Sequence, residues 1–319
     1  MRTLNAMNVL FATRAKTVIL THNHAMKRIL IVGCGDIAMR VAGLLSSHYR
    51  LFGLIRNNAR CAELRALGIT PVLGDLDNAL SLRRLTGLAH SVLHFAPPPN
   101  TGESDTRTRN LLAVISRGTL PENIVYISTS GVYGDCAGEY VTETHRLNAQ
   151  TARAQRRVAA ENKIRSWAKR TGVRAIILRV PGIYAANRLP LHHLQHGTPA
   201  IEEAEDSYTN HIHADDLAHI VTASLRRAKP SRVYHTSDDS ELKMGDYFDS
   251  VADALGLPHV PRISREQAQQ TLPNQLLSFM NESRRLTNTR LKRELKIILR
   301  YPTVADALTT VQKLNPGTT

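Results

Sequence analysis

The span Gly33-Cys34-Gly35-Asp36-Ile37-Ala38 carries the chemistry most directly legible in this chain. It follows a short aliphatic run, residues 28–32, and leads into Ile37, Val41, Leu44 and Leu45 at helical spacing. A strand that turns through glycines into a helix exposes peptide NH groups at the helix start, and those groups bind an anion. Gly33 allows the tight turn, Gly35 lets the backbone approach a pyrophosphate, and Ala38 takes the third small position where helix meets sheet. Asp36 and Ile37 contribute amides of the new helix. The spacing predicts a dinucleotide site, and the plainer alternative is a strand-to-helix connection with no ligand.

Other residues extend the site. The expected second strand, residues 51–55, ends on Arg56-Asn57-Asn58 with Arg60 beyond, where an acid would hydrogen-bond the ribose hydroxyls of NAD. Arginine there suits a 2'-phosphate, so NADP is the expected cofactor and NAD the alternative; a surface arginine is the plainer reading. Ser128-Thr129-Ser130 close another apolar strand. A hydroxyl at the carboxyl end of a central strand can donate or accept at a reacting oxygen, or simply cap the backbone. His211-Ile212-His213-Ala214-Asp215-Asp216 has ligand-like spacing, but a strand-to-helix junction capped by Asp215 or Asp216 fits the same residues, and no metal is expected. His192, His193 and His196 read as a polar, substrate-facing loop.

Positioning these groups takes an alternating scaffold. Strands are expected at residues 70–73, 91–95, 123–128, 173–180 and 232–236, with helices at 61–67, 107–116, 149–169 and 216–227. Repeated strand-helix units predict an α/β fold, a Rossmann-type doubly wound parallel sheet, with ligands at the carboxyl ends of the strands. Beyond Glu241 the chain reads as helical, punctuated by Pro258, Pro261 and Pro273. The expected division is a dinucleotide-binding unit of residues 26–184 plus 208–238, and a small, mainly helical substrate lobe of 185–207 plus 239–319.

The totals narrow the function. With 319 residues the chain can bury a full core, and its formal charge of +14 invites a nucleic-acid hypothesis. The basic residues are scattered with little aromatic interleaving, and the densest run, Arg284, Arg285, Arg290, Lys292 and Arg293, reads as one solvated helix face. A phosphorylated small ligand is the better use of the charge, so a small-molecule substrate is expected and a nucleic-acid partner is not. No apolar run reaches bilayer length, and the scattered Cys34, Cys61 and Cys136 fit a reducing, cytoplasmic setting. Residues 1–25 hold Arg2, Arg14 and Lys16 without an acid and no continuous apolar stretch, and are expected to be a disordered leader or a misassigned start ahead of Met26.

At Ile127-Ser128-Thr129-Ser130-Gly131-Val132-Tyr133-Gly134 the chain resembles the extended short-chain dehydrogenase/reductase family of nucleotide-sugar epimerases and dehydratases. Gly74-Asp75-Leu76, Ala96-Pro97, Leu178-Arg179-Val180-Pro181-Gly182-Ile183-Tyr184 and Ile212-His213-Ala214-Asp215-Asp216-Leu217-Ala218 continue the resemblance in order. The resemblance implies that Asp75 and Leu76 lie by the adenine and that Ala96 and Pro97 line the cofactor groove. It also implies that Thr129 places its hydroxyl on the substrate oxygen, and that Pro181, Gly182 and Ile183 shape the nicotinamide side. Ser128 and Ser130 are left to capping. A homodimer is compatible with it.

One departure matters. The family's Tyr-x-x-x-Lys falls on the long helix, and registering Glu161 against the family's downstream acid puts Arg153 at the tyrosine position and Arg157 at the lysine position. A guanidinium stays protonated to about pH 12, so Arg153 is no general base; it can stabilise an oxyanion or clamp an anionic group. Solvated arginines on a degenerate site are the alternative, with Arg157 the better placed to touch the nicotinamide ribose. Tyr133 and Tyr140 lie close in sequence to Thr129 but read as loop packing. Two functions stay open: an NADP-dependent oxidoreductase or epimerase-like enzyme on a polar, sugar-nucleotide substrate, and a non-catalytic NADP(H) sensor.

Overall fold

The computed structural model describes residues 26–314; the expected leader lies outside the described residues. Seven parallel strands form the central sheet: β1 (Arg28–Val32), β2 (Arg50–Ile55), β3 (Ile69–Leu73), β4 (Ser91–His94), β5 (Asn123–Thr129), β6 (Arg174–Val180) and β7 (Arg232–His235), in the order β7-β6-β5-β4-β1-β2-β3. Strand order reverses between β1 and β4, the switch point at which doubly wound sheets bind ligands. Along β1, Ile29 and Ile31 join one apolar cluster while Leu30 and Val32 join another, as expected of a strand buried on both faces.

Helices α1 (Asp36–Leu45), α2 (Cys61–Ala66) and α5 (Ala214–Arg227) cover the first face, and α3 (Thr106–Ile115) and α4 (Ala152–Thr171) cover the second. Each long helix has a defined start: Thr151 accepts from Ala154 N at 3.2 Å and Asp105 accepts from Thr108 N at 2.9 Å. The remaining chain is mainly helical, with a third apolar cluster that includes Leu194, Ile201, Phe248, Val251 and Leu308. Among the described residues no helix is long and apolar enough to cross a membrane.

Several local expectations are corrected. Arg284 and Arg285 precede the helix Thr289–Leu295; Arg284 is buried, and Arg285–Leu286 pairs as a short strand with Tyr140–Val141. Helix α5 starts at Ala214 and is capped by His213, whose Nδ1 accepts from Asp215 N, rather than by either aspartate. Asp216 instead accepts from the amides of Arg300 and Tyr301, at 2.8 and 2.9 Å. The loop holding His192 and His193 contains a short helix, Leu191–Gln195, with His193 stacked on Phe248 at 4.0 Å.

Burial makes the fold acid-sensitive. It lowers His94 to about 4 and His211 and His235 to about 3. The unfolded chain protonates these rings below about pH 6.5 while the folded chain refuses, so stability falls as pH drops through 6.5, by up to about 1.4 kcal/mol per pH unit for each histidine. Asp238, which burial pushes up to about 7, works in the opposite sense, favouring the fold below the usual carboxylate range and losing that contribution as pH rises through 7. The histidines outnumber it. The urea midpoint is therefore expected to fall between pH 6.5 and 4.5, and an unchanged or rising midpoint would contradict their burial as neutral rings.

Candidate active site

A cleft of about 730 Å³ opens where the carboxyl ends of β1 to β5 meet. Gly33, Gly35, Asp36, Ile37, Ala38, Arg56, Asp75, Leu76, Ala96, Pro97, Arg157 and Ile183 line it; Thr129, Arg153, Pro181 and Gly182 are not among its lining residues. The two glycines have separate reasons. Gly33 has φ +99°, and a methyl there would fall 2.5 Å from Ala96 N, so the backbone itself demands glycine. Gly35 sits at φ −91°, ψ −165°, which any residue adopts, and a methyl there would meet nothing within 4 Å. Its bareness meets no packing need and leaves open the space before the α1 amides, so the loop fits a diphosphate.

Charge at this cleft is dominated by arginine. Arg56, Arg60, Arg107, Arg157 and Arg188 line it, against Asp36 and Asp75. Arg60 is held by Glu63 and donates to Cys34 O at 2.5 Å, reaching across from the end of β2 to the glycine loop. The acid nearest in sequence to the end of β2 is thus already paired. Arg107 holds Asp77 at 2.7 Å, and Arg188 reaches Asp36 at 3.3 Å. Sequence reading missed Arg107 and Arg188, whose turns come to the cleft only in the fold; Arg60 stood beside Arg56 in view.

At the opposite end, Arg157 donates to Ile127 O at 2.6 Å and to Tyr126 Oη at 3.1 Å, which brings it from α4 to the floor of the cleft beside β5. Thr129 ends β5 half-buried, its hydroxyl accepting from Gly131 N at 3.3 Å. Ser128 does not cap: its hydroxyl donates to buried Glu161 at 2.7 Å. Glu161 also takes Arg179 in two-pronged fashion, at 3.1 and 2.7 Å. Arg179 in turn donates to Tyr133 Oη at 2.5 Å. His235 Nδ1 faces the Thr287 carbonyl and so must donate, leaving Nε2 to accept the Tyr133 hydroxyl at 2.5 Å. Burial raises Tyr133 to about 12, so this phenol stays protonated near neutral pH. Tyr140 is exposed and bonds Glu241.

The profile of the NAD dependent epimerase/dehydratase family matches residues 39–236, more than half of the chain. The chain belongs to that family. The family is NAD dependent and typified by enzymes. Human dTDP-D-glucose 4,6-dehydratase is 23% identical over 248 residues, 68% of this chain and 71% of its own length. A conserved protein of unknown function from Silicibacter pomeroyi, 28% identical, superposes with a TM-score of 0.77 over 90% of this chain and 99% of its own. The dTDP-glucose 4,6-dehydratase of Streptomyces venezuelae, solved with NAD bound, is 21% identical with a TM-score of 0.73 over 91% of this chain and 97% of its own.

Within this epimerase/dehydratase fold Arg153 lies one helical turn before Arg157, as the spacing requires. Glu282 escaped sequence reading, and Arg284 was read there only as part of a solvated helix face. Glu282 is held by Arg284 at 2.9 Å, and Arg284 donates to Gly134 O at 2.7 Å. They come to the site because Ser283 accepts from the amides of Cys136 and Gly138 and gives its own to Asp135, stitching the segment to the loop after β5. No local pattern could reveal a pairing between segments this far apart in sequence.

Proposed function

We propose that this chain is a cytoplasmic NADP-dependent oxidoreductase or epimerase/dehydratase-like enzyme acting on a polar, sugar-nucleotide substrate. Residues 26–184 plus 208–238 serve as its cofactor unit, and 185–207 plus 239–319 as its substrate lobe. The observation carrying this reading is the cleft: a glycine loop whose Gly35 is bare without packing cause, flanked by Arg56 and Arg60 where NAD would need a carboxylate. Asp75, Leu76, Ala96 and Pro97 supply the adenine side and groove, and Pro181, Gly182 and Ile183 the nicotinamide side. When bound, the nicotinamide supplies a hydride donor or acceptor. Thr129 orients the reacting oxygen, Arg153 offsets charge developing on it, and Arg157 holds the nicotinamide ribose.

Calorimetry with the two oxidised cofactors tests the cofactor. NADP is expected to bind at least tenfold tighter than NAD, since a charge-assisted contact contributes about 1.5–3 kcal/mol. Arg56→Glu is expected to reverse that order, and an unchanged preference would remove Arg56 from the 2'-phosphate. Activity is tested with a panel of sugar nucleotides, by absorbance of the reduced nicotinamide for net oxidation or reduction and by product analysis for epimerisation or dehydration, which return the hydride within one turnover.

Arg153 in place of a tyrosine, with Tyr133 locked to His235, favours a second reading, an NADP(H)-binding sensor without turnover. Cofactor binding with neither a change in absorbance nor a new product from any sugar nucleotide, together with cofactor-dependent capture of another protein, would select it.

A further inference from the structure

The floor of the site beside Thr129 is more cationic than proton transfer requires. A methyl placed on Gly131 would lie 3.6 Å from Glu282 Oε2 and 3.7 Å from Thr129 Oγ1, so this carboxylate and this hydroxyl border the same small space. Arg284 holds Glu282 from one side, is itself only 8% exposed, and has its Nε buried without a hydrogen-bond partner. Arg153 faces the same carboxylate from α4. The residue as a whole is exposed; desolvation and the charge of Arg157 lower its pKa, and the attraction of Glu282 opposes them. Arg284 and Arg153 thus act on one carboxylate, with Arg157 behind Arg153, an arrangement that retains net positive charge where water is partly excluded.

We propose that Arg153 and Arg284 select a substrate carrying a carboxylate beside its reacting carbon, with Glu282 limiting the strength of that attraction. The inference rests on the sugar-nucleotide reading above and names the substrate class within it. Planar guanidinium matches carboxylate with two parallel hydrogen bonds, which a neutral hydroxymethyl group at the same position cannot provide. Glu282 already shows that a carboxylate fits among these arginines. It sets the sign of the test, because removing its charge must strengthen binding of an acid and leave a neutral sugar little changed.

The probes are UDP-glucuronate and UDP-glucose, which differ only in that carboxylate, titrated calorimetrically into the full chain with saturating NADP. The acid is expected to bind at least tenfold tighter. Arg153→Gln is expected to bring the two affinities together by weakening the acid, and Glu282→Gln to widen the ratio several-fold, with melting temperatures checked for both. Equal affinities in the wild type, or a ratio that neither substitution moves, would overturn the proposal. If neither nucleotide binds, the sugar-nucleotide reading fails, and free D-glucuronate against D-glucose at millimolar concentration decides the carboxylate alone: preference for the acid sustains it, and its absence overturns it.

Discussion

Gly35→Val is expected to reduce nucleotide binding at least a hundredfold while shifting the melting temperature by no more than a few degrees. The two halves of this outcome come from different facts. Val is tolerated by the backbone, because φ −91°, ψ −165° lies in the extended region that β-branched residues favour, and its Cβ meets nothing within 4 Å. The stability loss is confined to the helix start, where a poor N-cap costs about 0.5–2 kcal/mol. The isopropyl group would stand in the space before the α1 amides, so an anion could no longer reach them. Gly33→Ala is the contrasting control: its φ of +99° and the 2.5 Å approach to Ala96 N make the fold itself the casualty. Calorimetry for binding and thermal melts for stability separate the two. Retention of normal affinity in Gly35→Val would mean that no diphosphate lies against the loop, and the cofactor assignment would fall with it.

This difference between adjacent glycines also explains what was legible in the sequence. The loop, its strand and its helix are contiguous, so their spacing declared the structure and led to the expected dinucleotide. The strand alternation was legible for the same reason, because the parallel strands inside the sheet are buried on both faces and read as aliphatic runs, whereas the edge strand β3 is half-exposed. Ser128 was misread as a cap because its partner, Glu161, lies 33 residues away on α4. Arg284 was misread as solvated because the basic residues around it suggested one helix, whereas the helix begins at Thr289 and the preceding residues are tied to the loop after β5. Charge pattern reports an exposed face well, but it cannot report a strand pair that depends on a distant segment.

Glu161→Ala is expected to destabilise the fold by about 3–5 kcal/mol, the scale for removing one partner of a buried ion pair. Glu161 is fully buried and Arg179 is 2% exposed. Without the carboxylate, Arg179 keeps only Tyr133 Oη and the Glu143 carbonyl, neither of which carries the compensating charge. Ser128 loses its acceptor as well. The cause lies in the unpaired cation rather than in the lost contacts. The double substitution Glu161→Leu with Arg179→Met is therefore expected to recover most of the loss, since an apolar pair of similar volume needs no compensation. Urea unfolding of the two single variants and the double variant measures the coupling; a double variant as unstable as the sum of the singles would place the cost in packing instead. The same network bears on function. Glu161 sits one helical turn beyond Arg157, so loosening its anchorage to β6 also loosens the helix that sets Arg157 on the cleft floor. The folded fraction of Glu161→Ala is accordingly expected to bind cofactor more weakly than wild type, although residue 161 does not line the cleft.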